Sequence, residues 1–376
     1  MRRLIFFCTL MAACAVAAAP AGAQQAPERP NLGRGADPDD WEAYFEYGEQ
    51  QFERFPARAQ AAFYWAARLD PTRAEPLFAQ WATFYSRDWG TWLSYVYEEP
   101  RTFERADVIA NEALRRASYY RNPFVHRGFE AGLWSRMGRE MRWDGAATAF
   151  MNYGRGDFGQ AAAGFGRVVR ANPVANVRFR QWRALSFVGA GQLDSAAVEL
   201  THLLETLRTQ DRATLGYYES KAMYEYGLGM LHEARGRHAE ARRAWERALE
   251  EDLSMYPARA ALARAALRER NRTEAVEHMA QAVELAPNDA VMHYEHGNAL
   301  VAANQRDEAI AAFQRALQLE PHWAEPYLRL GVVFDNAGQT AKAIAIYRAY
   351  LDRAPRRHAP TIQRITERVA ALQAGG

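Results

Sequence analysis

A short pattern that returns at intervals of about 34 residues limits this chain more than any other feature, because a self-similar segment of that length builds one supersecondary unit that must stack on its own copies. Aligned on a small residue four positions before a bulky one, the sequence gives anchors at Ala161, Ala196, Ala241, Ala275, Ala309 and Ala343. The last three steps, from Ala241 through Ala275 and Ala309 to Ala343, are equal. Each anchor is followed four residues later by a large apolar side chain: Phe165, Leu200, Trp245, Met279, Phe313 and Tyr347. Pro173, Pro287, Pro321 and Pro355 stand twelve residues after their anchors, where a ring without an N–H closes one helix and opens the next. Five residues before the anchors come Gly156, Gly191, Gly236, Asn304 and Gly338, with Arg270 beside Asn271 in the remaining unit. These positions suit the left-handed conformation that ends a helix. The unit is therefore helix, tight turn, helix, with apolar residues at i, i+3, i+4 and i+7 on both members.

From Tyr327 through Leu330, Gly331, Phe334, Ala343, Tyr347 and Tyr350 to Pro355 the order of residue types resembles the tetratricopeptide repeat. Gly297, Ala309, Phe313, Ala316 and Pro321 repeat it one unit earlier. The resemblance is good from about Ala222 to Pro355 and fair from Arg142 to Leu204, and one more unit near residues 40–71 is carried by Ala59, Phe63, Ala66 and Pro71. It implies an all-α fold, an α-solenoid of stacked helix pairs, with six repeats over residues 142–357. His358 to Gln373 reads as a capping helix with a polar outer face, so residues 358–376 form cap and tail. Two stretches depart from the period. The step from Ala196 to Ala241 is 45 residues, which makes Thr206 to Ser220 a longer helix or a loop. Residues 86–141 keep helical composition but lose the repeat, so residues 40–141 are taken as one repeat-like unit followed by an aromatic-rich helical insertion.

The first 23 residues read as a signal peptide: Arg2 and Arg3 precede an apolar run from Leu4 to Ala19, and Ala21-Gly22-Ala23 offers small residues for cleavage. Residues 24–39 would then be a flexible linker. An alternative use of the same segment is lipoprotein processing at Cys14. Cys8 and Cys14 are the two cysteines of the chain, so cleavage leaves a mature protein with no disulfide, thiolate metal site or cysteine nucleophile. Removing Arg2 and Arg3 lowers the 47 basic residues to 45, equal to the 45 acidic ones. That balance argues against nucleic acid as a partner, since phosphate binding rests on a basic excess. No stretch after the leader reaches the roughly 18 to 20 apolar residues of a membrane span. The expected location is the periplasm or cell envelope.

Motifs for chemistry fail one by one. Gly154-Arg155-Gly156-Asp157-Phe158-Gly159 spells the dinucleotide fingerprint, yet a helix rather than a strand precedes it and Gly156 is the repeat turn. Gly159 and Gly164 have phosphate-loop spacing, but Phe165 takes the place of the lysine. His232-Glu233 lacks its second ligand, because that position is Gly236. His293 and His296, with His322 as a third, could share a metal, although their slots face the second helix of their own unit and a packing role is preferred. Glu98-Glu99 and Asp39-Asp40 read as turn and cap residues. The expectation is a protein that is not an enzyme and carries no cofactor.

What remains is surface. A stacked array curls, and the first helix of each unit lines its concave wall. Tyr226, Met230, Arg264, Arg268, Tyr294, Asn298, Leu328, Val332 and Asp335 belong on that wall. The family resemblance implies that such a wall grips an extended peptide; Arg264, Arg268 and Asn298 are a partial likeness to the basic and amide groups that hold a terminal carboxylate, while the lysines common there are absent. Between Trp41 and Tyr97 lie 17 aromatic residues, where the overall 12% would give about seven. Trp89, Trp92, Tyr95 and Tyr97 fall in the aperiodic insertion and are the second set of candidate binding residues, because rigid aromatics are enriched at recognition surfaces; a local apolar cap is the competing use. Two functions follow: an exported scaffold for a protein or peptide partner, or a glycan-binding module that stacks sugars on the exposed tryptophans.

Overall fold

The computed structural model of the chain describes residues 26–52, 54–73, 75–83, 144–171, 176–213 and 220–374, together with 131, 134, 135 and 139. The leader with Cys14, most of the insertion, and Trp89, Trp92, Tyr95 and Tyr97 lie outside the described residues. Among the described residues there are helices and no strands. In chain order they are α1 (Trp41–Gln51), α2 (Pro56–Leu69), α3 (Glu75–Thr83), α4 (Asp144–Gly154), α5 (Phe158–Ala171), α6 (Asn176–Gly189), α7 (Leu193–Ala213) and α8 (Ala222–Ala234). There follow α9 (His238–Glu251), α10 (Tyr256–Arg268), α11 (Arg272–Leu285), α12 (Ala290–Ala302), α13 (Arg306–Leu319), α14 (Ala324–Asn336), α15 (Thr340–Leu351) and α16 (Ala359–Ala374). The first helices of the last four units begin at Ala222, Tyr256, Ala290 and Ala324, in equal steps. The long step after Ala196 is a long helix at least as far as Ala213, since α7 runs for 21 residues.

One turn chemistry joins the helices of six units. Gly156, Gly191, Gly236, Arg270, Asn304 and Gly338 all have positive φ. Around Gly338 the Gln339 N–H donates to the Phe334 carbonyl at 3.0 Å and the Gly338 N–H to Asp335 at 2.9 Å, the paired bonds of a Schellman turn. Of the two residues at the fifth turn, Arg270 takes the left-handed place at φ 63°. Asn271 instead caps α11 by accepting from the Glu274 N–H at 3.3 Å.

Inside four of the units the pair is locked by a first-helix glycine under a second-helix ring. A Cβ built on Gly331 would meet Tyr347 at 2.6 Å, on Gly297 would meet Phe313 at 2.6 Å, and on Gly48 would meet Phe63 at 2.4 Å. Trp245 lies against Gly229 in the same way. Each ring is buried beside the alanine anchor of its own helix, and hiding a side chain of this size is worth about 2–3 kcal/mol. Successive pairs stack through further buried clusters, such as the one joining Phe313, Leu330, Phe334 and Tyr347. The array ends at α16, whose Ile365 and Val369 face the last pair while its other side is polar.

Within the segment 24–39, expected to be a flexible linker, Pro27, Arg29 and Asp37 contact distant parts of the chain while much of the described segment stays exposed. The Trp65 indole N–H donates to the Pro27 carbonyl at 3.0 Å, and the Arg29 guanidinium lies 5.3 Å from the Tyr44 ring and 5.1 Å from the Trp65 ring. A sequence of Pro, Asn, Gly and Asp reads locally as linker; its order comes from aromatic and ionic partners distant along the chain.

Candidate functional site

The first helices make the tighter wall of the array. Helix α10 packs directly on α12, and among the described helices no two second helices pack as extensively. This places the first helices on the inner, concave side, where a solenoid presents its binding surface. Two columns in the register of the repeat run along it: Tyr226, Ala260, Tyr294 and Leu328, and beside them Met230, Arg264, Asn298 and Val332.

The first column changes character along the array. Tyr226 and Ala260 are fully buried, whereas Tyr294 and Leu328 are half-exposed. The expectation that Tyr226 faces a guest is therefore corrected: its ring is core, packed with Trp245 and Leu262. Burial pushes its hydroxyl up to about 12, and Arg264 is the charge that opposes the shift. That hydroxyl has no sound hydrogen-bond geometry to any described residue. Tyr294 is held by its neighbours, 4.8 Å from Trp323 and 5.9 Å from Phe313 between ring centres.

In the second column Met230, Arg264 and Asn298 are half-buried and Val332 is 37% exposed. Met230 leans on the core cluster of its unit. Two expected wall residues are already committed. Arg268 of α10 pairs with Glu233 of α8, its Nη2 donating at 3.0 Å, so it braces adjacent first helices rather than waiting for a carboxylate. Asp335 accepts from Arg368 of α16 at 2.7 and 2.8 Å and from the Tyr347 hydroxyl at 3.1 Å, so it anchors the cap. Those bonds from Arg368 hold the Asp335 carboxyl below the usual carboxylate range. Arg264 is the expected wall arginine left without an acidic partner among the described residues.

Two exposed apolar residues on the same faces escaped the sequence reading: Val301 at 47% and Met223 at 43%. Val301 lies one repeat before Asp335, and Met223 one helical turn before Tyr226. The repeat register alone could have found Val301. The open surface is thus concentrated on α12 and α14, where Tyr294, Asn298, Val301, Leu328 and Val332 form a mainly apolar strip with one amide.

For catalysis the described residues supply little. No three of His, Cys, Asp and Glu converge as metal ligands among them. His293 Nε2 lies 2.9 Å from the Pro287 carbonyl oxygen, and His296 is lowered by burial and by His293. The Gly154–Gly159 stretch is a helix–turn–helix, with α4 before it and α5 after. No helix among the described residues is long and apolar enough to cross a membrane.

Helix pairs at a constant interval, closed by the same left-handed turn and stacked through alanine and aromatic layers, define an α-solenoid of helix–turn–helix repeats. The family model of the tetratricopeptide repeat matches residues 226–290 and 294–358, and through these repeats the chain is a tetratricopeptide-repeat protein. Among solved structures, the crystal structure of MamA is 16% identical with a TM-score of 0.40, covering 45% of this chain and 93% of that one. YrrB, described as a repeat protein of the same type with an unusual peptide-binding site, is 21% identical with a TM-score of 0.41, over 52% and 94% of the two chains. The C-terminal part of a repeat-containing protein from Cytophaga hutchinsonii is 16% identical with a TM-score of 0.45, over 57% and 79%. A search among curated proteins finds no match.

Proposed function

We propose that the chain is an exported scaffold that binds an extended segment of a protein partner along the inner faces of α12 and α14. The carrying observation is the exposed strip of Val301 and Val332 beside half-exposed Tyr294, Asn298 and Leu328, on helices whose other faces are committed to packing. An apolar strip with a single amide suits apolar side chains spaced along a peptide, with Asn298 free to bond its backbone. Arg264, one unit earlier, lies where it could meet an acidic group of the guest. A groove of this kind commonly binds in the micromolar range, about 8 kcal/mol. The basic, then apolar, then small-residue order of residues 1–23 supports export, and the equal numbers of acidic and basic residues beyond them support a partner other than nucleic acid.

A library of extended peptides read by fluorescence polarisation tests the groove. Apolar peptides should bind, and Val332→Asp should weaken them at least tenfold with helix content unchanged. Equal binding by the variant would remove the groove from consideration. Mass spectrometry of the protein recovered from a bacterial envelope tests export: a mature N-terminus near Gln24 supports it, and an intact leader refutes it.

A further inference from the structure

The first helix pair does not stand free at its end of the array. Residues from 35 to 68 touch residues from 320 to 357, across sequence separations of 252 to 321. Arg68 of α2 pairs with Glu320, the buried residue after α13, at 2.6 Å. The Trp65 and His322 rings meet edge to face at 5.3 Å. Beyond α15, the Arg356 backbone N–H donates to the Asp37 carboxylate at 2.6 Å, and Arg357 reaches Asp40 at 2.8 Å and Glu42 at 3.2 Å. Two ionic contacts of opposite polarity result: Arg68 on the N-terminal side meets Glu320, while Asp40 and Glu42 on that side meet Arg357 of the loop after α15.

We infer that the first helix pair is an ionic clasp that closes the solenoid end to end, and that this closure sets the geometry of the inner wall at α14. Closure reaches that wall through Glu325, in the first turn of α14, one turn before Leu328. Glu325 lies near His358 at 3.9 Å, and Asp70 at the end of α2 faces it with a like charge while Arg357 offsets it. Loss of solvation, followed by Asp70, pushes its carboxyl up from the ordinary range, although its side chain is still 39% exposed beside His358. Removing the clasp would take Asp70 and the contacts of Arg357 away from Glu325 and free the loop after α15, so any guest that needs a wider groove must open it. The closure is independent of what the groove binds.

Pulsed electron resonance between spin labels measures the closure directly. Ala57→Cys and Ala345→Cys, both exposed, carry the labels in a full-length chain with Cys8→Ser and Cys14→Ser. At low salt a single narrow distance is expected. Arg68→Glu with Arg357→Glu should shift most molecules to longer, broader distances, and adding Glu320→Lys with Glu42→Arg should restore the narrow peak. Raising salt from about 0.05 to 1 M should broaden the unmodified protein in the same direction, since exposed pairs are screened within a few ångströms there. A distribution that is broad at low salt, or one that neither salt nor charge reversal moves, overturns the clasp. The salt series needs no charge variant, so a variant that fails to fold does not leave the inference unexamined.

Discussion

Replacing Gly331 with alanine separates two opposing effects that can be sized from the structure. In a helix interior glycine-to-alanine substitution is worth about 1 kcal/mol in favour of the folded state. At Gly331 the added Cβ would lie 2.6 Å from two carbons of the Tyr347 ring, where a comfortable separation is about 3.5–4.0 Å. The ring or the helix must then move by about 1 Å. Tyr347 is 2% exposed and its hydroxyl is held by Asp335 at 3.1 Å, so the ring cannot swing aside. Overpacking a rigid core costs about 1–3 kcal/mol, and a pinned ring belongs at the upper end, which leaves a net loss of about 2 kcal/mol. The protein contains its own control. In the unit of α10 and α11 the corresponding residues are Ala263 and Met279, both buried, and the flexible thioether accepts the methyl group that a ring does not. Gly331→Ala combined with Tyr347→Met should therefore cost about 1–2 kcal/mol less than the two single changes added together. Thermal melts followed by helical circular dichroism, with hydrogen exchange of α14 and α15 as the local reading, make the comparison; unfolding in a repeat array need not be all-or-none. A neutral or stabilising Gly331→Ala, or additive behaviour in the pair, would refute the lock.

The turn at Arg270 holds a side chain in a left-handed conformation that costs about 1–2 kcal/mol, so Arg270→Gly should stabilise the array by about 0.5 kcal/mol after the extra freedom of glycine in the unfolded chain is counted. Denaturant midpoints at constant slope check it. Glu225 is 2% exposed and accepts from Arg247 at 2.8 and 3.0 Å as well as from Arg208, so Arg247→Leu should cost about 2–3 kcal/mol by leaving a buried carboxylate half-satisfied. Urea unfolding of the variant beside Glu225→Gln distinguishes a lost bond from a stranded charge. Tyr226 and Tyr347 are both pushed up to about 12, mainly by burial. A raised folded value gives stability that is complete below the unfolded value near 10 and is lost as pH climbs toward 12, so tyrosinate absorbance should lag free tyrosine and then appear together with loss of helix. Asp335 is displaced the other way by Arg368, so the docking of α16 should persist above about pH 4 and weaken below it, and Asp335→Asn should abolish that acid dependence in the hydrogen exchange of α16.

How legible these features were depends on the range over which their causes act. The helix pairs could be read because each is set by neighbours within a single repeat: Gly338 closes α14, Ala343 and Tyr347 build α15, and Pro355 ends the unit. Even the exception at Ala196 was readable as a longer helix or loop, and α7 is a helix at least to Ala213. Arg270 was harder, since nothing in an arginine's local preference gives it the left-handed place over the asparagine beside it. There the choice falls to the neighbouring cap, because Asn271 satisfies the α11 N-terminus with its own side chain. The contacts of Pro27, Arg29, Asp37 and Asp40 were illegible for a related reason: their partners are Trp65, Tyr44, Arg356 and Arg357, and no local period connects them.

The candidate site was only half legible, because being on the right face of a helix and being available there are different conditions. Register put Tyr226, Tyr294 and Leu328 in one column, and the column exists; but its exposure depends on what the adjacent unit places above it. Tyr226 lies in a buried cluster that includes Leu262 of the next unit, whereas Leu328 is near the end of the array and is only partly buried. The charges follow the same rule. Arg268 and Asp335 have residue types suited to a ligand, and each is taken by a partner about one repeat away along the chain, Glu233 in one case and Arg368 in the other. A repeat protein places chemically suitable residues about one unit apart, so charges on its wall can pair across neighbouring units, as these two do. Apolar residues such as Val301 and Val332 cannot be consumed in this way. On the proposed reading, the strip they form is therefore a better candidate for guest contact than any charge on the wall, and an experiment that removes charges alone should leave most of that candidate surface in place.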